Sequence, residues 1–222
     1  MHEDNDLIVV DKAAGVLTVP TARRERNALV DLVSAHVRRE VHVVHRLDRD
    51  TSGLLVFAKS ERAARGLIER WREDHERVYA ALVHGAVVRE EGIIESRLVT
   101  TKNLDRRSLR GHERTVRGPA QGEDARTRYR VLARVSGATH VDVELDTGRR
   151  NQIRVHMAEL GHPILGDDRY ARHARPHPAW AGGLALHARL LVIVHPRTQE
   201  RVRCESPLPP AFVTLLGRSR SR

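Results

Sequence analysis

VVHRLDRDTSGLLVFAKS, residues 43–60, joins a charged cluster to an apolar run. Residues 54–58 are short, apolar throughout and bounded by turn residues, which is the pattern of a buried strand. Ahead of them stand His45, Arg46 and Asp48, and Thr51, Ser52 and Gly53 read as the turn between the two. Charge wedged against a buried strand is either a solvated turn or a site.

Working outward, residues 7–10 read as a short buried strand and residues 14–20, with Gly15 and Pro20, as the turn that leaves it. Residues 28–37 carry Leu29, Leu32 and Val33 at helical spacing. On the other side, Ser60 is placed as an N-cap with Glu61 in the first turn, and Ala63, Leu67, Ile68 and Trp71 form one helical face. Residues 78–88 and 92–99 follow as strands.

The pattern then lapses. Residues 100–124 hold little that is apolar but carry Lys102, Arg106, Arg107, Arg110, Arg114 and Arg117, and read as a long basic excursion, either a solvated loop or an RNA contact. Alternation returns in ARTRYRVLARV (125–135) and THVDVELDTG (139–148), two half-buried antiparallel strands with arginines and acids turned outward. GRRNQIRVHMAELG (148–161) sets Ile153, Met157 and Leu160 on one helical face, Gly161 as the stop, and Arg150 and Arg154 one turn apart. A strand leading into a helix with two arginines could hold an anion. Residues 184–194 give another strand, residues 207–216 a short terminal element, and residues 217–222 a frayed basic tail.

Length and charge narrow the function. A chain of 222 residues suits one domain. Its formal net charge is +10, a sign that gathers polyanions, so nucleic acid is the first partner to consider. Nearly all the cation is arginine, whose planar fork suits phosphate and bases. The single cysteine, Cys204, excludes an internal disulfide, a cysteine-rich zinc site and a C-x-x-C pair, and suggests the cytoplasm. No signal peptide opens the chain and no apolar run is long enough for a membrane helix. H-E-x-x-H, the P-loop, G-x-G-x-x-G and G-x-S-x-G are all missing, so no metal, nucleotide cofactor or serine nucleophile is expected. What remains is Asp48 between Arg46 and Arg49, with Arg154 further on. A carboxylate beside arginine stays ionised and can serve as base or nucleophile, although a structural ion pair closing a turn has the same composition.

HRLDRDTSGLLVFAKS resembles the signature HRLD-x-x-TSG-L-L of the RluA family of pseudouridine synthases at every fixed position. EDNDLIVVDKAAGVLTVP (3–20) resembles the family's opening strand and K-P-x-G-L turn, RVYAALVHG (77–85) its K-x-Y-x-A-x-V-x-G strand, and ARTRYRVL (125–132) its A-x-T-x-Y. LDTGRRNQIRVHMAELGHPILGDDRY (145–170) resembles L-x-T-G-R-x-H-Q-I-R-x-H-x-A-x-x-G-H-P-I-x-G-D-x-x-Y, and LALHARLLVIVHP (184–196) with ESPLP (205–209) closes the pattern. The chain departs at Ala13, Ala14, Pro20, Arg77, Arg150 and Asn151.

The resemblance implies an α+β fold: a single catalytic domain over residues 1–216 around a mixed, mostly antiparallel sheet flanked by helices. No small S4-like RNA-binding domain is expected ahead of it. It implies isomerisation of a uridine in structured ribosomal or transfer RNA, without a cofactor and with a monomer as the default state. Asp48 would be the essential carboxylate, Tyr79 would stack on the target base, Arg154 would pair with Asp48, Arg46 would fill the gap left by the extruded uridine, and Ile153 would pack against the site. An extruded base costs a few kcal/mol of stacking, roughly what an inserted planar side chain can partly return. A non-catalytic RNA-binding module and a base-excising glycosylase are the alternatives.

Overall fold

The computed structural model describes residues 1–21, 27–71, 75–100, 106–108, 122–135 and 137–217. Most of the basic excursion and the tail after residue 217 lie outside the described residues. The elements in chain order are β1 (His2–Glu3), β2 (Leu7–Lys12), α1 (Leu29–Val37), β3 (His42–Val43), β4 (Ser52–Ala58), α2 (Glu61–Glu69), β5 (Glu76–His84) and β6 (Glu91–Thr100). They continue as β7 (Arg106–Ser108), β8 (Glu123–Val135), β9 (Ala138–Leu145), α3 (Gln152–Glu159), β10 (Leu186–Val194), β11 (Arg201–Glu205) and α4 (Pro210–Gly217). This is the expected α+β architecture with a mixed, mostly antiparallel sheet.

The chain forms two compact units, the first made of Met1–Tyr79 and Leu186–Pro209, the second of Ala80–Ala185 and the segment from Pro210. The boundary falls inside β5.

In the first unit β4 is central, antiparallel to β2 and β3 and parallel to β10, which pairs antiparallel with β11. Leu7, Val9, Leu54, Val56 and Ala58 meet Ala63, Ala64 and Leu67 of α2 in one core cluster. Full burial of a side chain such as Leu67 contributes about 1.5–3 kcal/mol. The Ser60 Oγ accepts from the Ala63 N–H at 3.2 Å, capping α2 as the sequence predicts. Two members of the predicted face depart from it. Ile68 is exposed because the buried stripe runs through Ala63, Ala64 and Leu67, and Trp71 lies past the last helical residue.

Gly53 belongs to β4 rather than to a turn before it, with φ of +110°. It pairs with Ala188 of β10 where the two backbones approach closely.

In the second unit β8 pairs antiparallel with both β6 and β9, and β7 pairs with β6. Ala125, Thr127, Tyr129 and Val131 point inward and Arg126, Arg128 and Arg130 outward, as the alternation predicts. β9 differs from the half-buried expectation: residues 138–143 are all buried, Asp142 included. Part of the cover is α4, whose Phe212 meets His140 edge-on at 6.5 Å between centroids. β5 starts at Glu76 and ends at His84, short of the predicted residue 88, because Gly85 takes a positive φ of 76°.

Candidate active site

In the first unit residues 45–50 are irregular backbone, and both neighbours of Asp48 are anchored. The buried Thr18 hydroxyl donates to the Leu47 carbonyl at 2.9 Å and accepts from the Leu47 N–H at 3.2 Å. On the other side the Arg49 carbonyl accepts from the Lys12 ammonium at 2.8 Å and from the Gly15 N–H at 2.9 Å. The Asp48 carbonyl accepts from the Thr51 N–H at 3.2 Å. Asp48 is half-buried on this fixed loop, and Arg46 is exposed.

Lys12 is almost fully buried, and its Nζ also donates to the Ala13 and Val16 carbonyls at 3.0 and 2.8 Å. Burial lowers its pKa to about 8 against the opposing pull of the Asp50 and Asp48 carboxylates. Both carboxylates therefore act on the same ammonium. Asp50, like Asp48, lies on irregular backbone outside any strand.

Tyr79 is buried on β5, and its hydroxyl is held protonated above the ordinary range: burial raises its pKa, the Arg77 charge lowers it and the Asp48 charge raises it. Arg77 shares the Tyr79 side of β5 by strand alternation. Its guanidinium lies 5.4 Å from the Trp71 ring centre, and Trp71 in turn stacks on His45 at 4.5 Å. The His45 Nε2 accepts from the Val56 N–H at 3.2 Å, which places its proton on Nδ1. Burial, then the charges of Arg77 and His75, keep that ring neutral.

In the second unit Ile153 and Arg154 are buried on α3. The Arg154 Nε and Nη2 donate to the two oxygens of Asp167, both at 2.8 Å, and Nη2 reaches Asp168 at 3.4 Å. Asp167 also accepts from the Arg169 and Tyr170 N–H groups at 2.9 Å. Burial would raise the pKa of Asp167, but the Arg154 hydrogen bonds and charge outweigh it and hold the carboxylate ionised. The Tyr170 ring lies under Arg154 at 5.3 Å, and its hydroxyl accepts from Asn151 Nδ2 and from the Arg106 N–H, each at 3.1 Å. Arg150 is exposed and precedes α3, while Asn151 is buried with φ of 55°.

Sequence reasoning placed Asp48 and Arg154 but missed what fixes each. Lys12, Thr18 and Asp167 all lie inside quoted motifs, and the missing signal was distance: Lys12 serves a loop 37 positions away. Among the described residues Asp4, Asp6 and His195 could gather around a metal ion. Their atoms already serve one another: His195 Nε2 faces Asp4 at 3.1 Å, and Arg197 donates to Asp6 at 2.6 Å.

Residues 6–159 match the family model described as RNA pseudouridylate synthase. The ribosomal large subunit pseudouridine synthase D of Pseudomonas aeruginosa is 36% identical over 233 residues, covering 98% of this chain and 70% of that protein. The uncharacterized RNA pseudouridine synthase YlyB of Bacillus subtilis is 36% identical over 224 residues, covering 97% and 70%. Among solved structures, human RNA pseudouridylate synthase domain containing 4 superimposes with a TM-score of 0.75 at 23% identity, covering 99% of this chain and 92% of that one. That likeness speaks for the fold.

Proposed function

Since the chain belongs to the RluA-type RNA pseudouridine synthase family, we propose that it isomerises a specific uridine of ribosomal or transfer RNA with Asp48 as the catalytic carboxylate. The observation that carries this reading is the anchoring of Leu47 and Arg49 on either side of Asp48. A carboxylate that must meet one atom of a flipped nucleotide gains from a backbone that cannot drift, since a misplacement of about 1 Å can cost on the order of 10²-fold in rate.

The uridine is extruded from its stack before it can be reached. The bond from ribose C1′ to uracil N1 breaks, the base turns within the site, and C1′ joins C5. N1 gains a proton and C5 loses one, so the reaction is an isomerisation without net oxidation. Asp48 attacks C1′, adds to C6 or removes a proton from C2′; one ionised carboxylate serves each route. Tyr79 packs against the extruded base, Ile153 lines the pocket, and Arg46, being exposed, fills the vacated place in the RNA stack. The family pattern assigns Arg154 to Asp48 as its countercharge, and Asp167 fixes the plane of that guanidinium.

The test is tritium release from RNA labelled at uridine C5, because forming the new bond expels that hydrogen. The name of the Pseudomonas aeruginosa relative makes large-subunit ribosomal RNA the first transcript to assay, with transfer RNA beside it. Release by wild type and none by Asp48→Asn supports the reading. Undiminished release by Asp48→Asn overturns the role of Asp48, and no release from any RNA overturns the reaction.

A further inference from the structure

The outward arginines of the second unit divide into two groups. Those on β8 are already neutralised: Arg126 meets Glu95 at 3.1 Å and Asp146 at 3.2 Å, Arg128 meets Asp146 at 2.7 Å, Arg130 meets Asp142 at 3.9 Å, and Arg134 meets Glu90 at 2.8 Å. Cross-strand pairs of this kind fit sheet geometry and leave little field to attract a polyanion.

Residues 168–178 differ. The segment DRYARHARPHP holds three arginines and two histidines against one carboxylate, and that carboxylate, Asp168, is drawn toward Arg154. Arg172, His173 and Arg175 are exposed, and among the described residues none of them has a hydrogen bond or an ion pair. An unneutralised guanidinium presents its fork to phosphate in two parallel hydrogen bonds.

The segment is also held in shape. At its start Asp167 accepts from the Arg169 and Tyr170 N–H groups, and the Asn151 to Tyr170 hydrogen bond ties it to the backbone that carries the exposed Arg150. In its middle the Ala174 N–H closes a turn on the Ala171 carbonyl at 2.9 Å. Beyond it Trp180 packs edge-on against Phe212 with 5.6 Å between centroids. Pro176 and Pro178 remove two further backbone freedoms. Cations on a fixed loop lose little entropy when a ligand orders them, which is the arrangement a binding surface uses.

We propose that residues 168–178 form an RNA-backbone clamp, in which Arg172 and Arg175, assisted by His173, hold phosphates of the strand that carries the target uridine. The proposal deepens the reading above: the clamp starts one residue after Asp167, which fixes Arg154, so it would position RNA next to a residue assigned to the site. It adds affinity that is independent of sequence, while base contacts at the site choose the uridine.

The experiment measures affinity for a uridine-looped RNA hairpin across a salt series, using the full chain. Each phosphate contact adds roughly 0.7–0.9 to the slope of log K against log salt. Arg172→Glu with Arg175→Glu is expected to flatten the slope by about 1.4–1.8, and Arg172→Lys with Arg175→Lys to retain it. Arg128→Gln on the paired β8 face is the control, expected to leave the slope unchanged. Both loop positions are exposed, so thermal melting of the double variant should match wild type.

An unchanged slope in the Glu double variant overturns the clamp, as does an equal flattening by the β8 control. Tritium release is measured on the same preparations. A flattened slope in a protein that releases no tritium from any RNA supports the clamp while overturning the reaction, so the two failures are distinct.

Discussion

A Cβ added at Gly53 would lie 2.3 Å from the carbonyl oxygen of Ala188, and Gly53 has φ of +110°. The parallel pairing of β4 with β10 therefore depends on the absence of a side chain at Gly53. Gly53→Ala is expected to cost more than about 4 kcal/mol, since backbone must move on both strands. Gly15→Ala is the comparison, because Gly15 also has positive φ, +85°, but nothing lies within 4 Å of the added atom. It should cost only the backbone strain, about 1–3 kcal/mol. Thermal melts of both variants check the difference, at about 2–4 °C per kcal/mol for a chain of this size.

Lys12→Met removes the donor shared by the Ala13, Val16 and Arg49 carbonyls. The Arg49 carbonyl keeps the Gly15 N–H, and each other acceptor left unpaired away from water costs about 1–3 kcal/mol. The loop carrying Asp48 loses one anchor, so tritium release should fall further than the loss of folded protein explains. The pH dependence follows from a folded pKa of about 8 against the ordinary 10.5. Between those values the unfolded chain retains a proton that the folded one has released, so Lys12 makes stability rise as pH rises through the window. The Met variant should lack that rise in denaturant titrations.

Much of this was legible in the sequence, for identifiable reasons. Ser60 could be read as an N-cap and the Arg126, Arg128 and Arg130 alternation as an outward strand face because both signals are local. Ile68 misled because helical spacing alone does not say where a buried stripe ends. Asp142 looked solvent-facing by alternation, but β9 is covered on both sides, and no pattern within one strand reveals its cover. The same limit applies around the candidate site. HRLD identified Asp48 through resemblance, whereas the Thr18 grip on Leu47 joins residues 29 apart, and only the folded backbone brings them together.

His156 gives the second unit its own acid sensitivity. The ring is fully buried between Thr127 Oγ1 at 2.8 Å and Ser96 Oγ at 2.9 Å, and burial lowers its pKa to about 4 from 6.5. Between those values the unfolded chain takes up a proton that the folded chain refuses. Stability is therefore fully present above pH 6.5 and is lost as pH falls toward 4. Equilibrium unfolding at a series of pH values should show this slope in wild type and a shallower one in His156→Gln. Equal slopes would remove His156 as its source.

Asp167→Asn tests whether the buried pair with Arg154 orients the guanidinium or merely packs. The amide keeps the shape but offers one acceptor oxygen where the carboxylate offers two, and it leaves the buried cation without its countercharge. Breaking such a pair on one side costs about 3–5 kcal/mol. Asp168 also reaches Arg154, but its side chain is 90% exposed, so Asp168→Asn should change stability by no more than about 0.5 kcal/mol. The kinetic split carries the further information. If Arg154 acts at the reacting centre, Asp167→Asn lowers kcat for tritium release in the protein that remains folded, with KM for RNA little altered, because the one oxygen the amide keeps can still accept from the Arg169 and Tyr170 N–H groups that hold the start of the 168–178 segment. A variant with normal kcat and reduced stability would make Asp167 a folding residue and remove the argument that it orients Arg154 for chemistry.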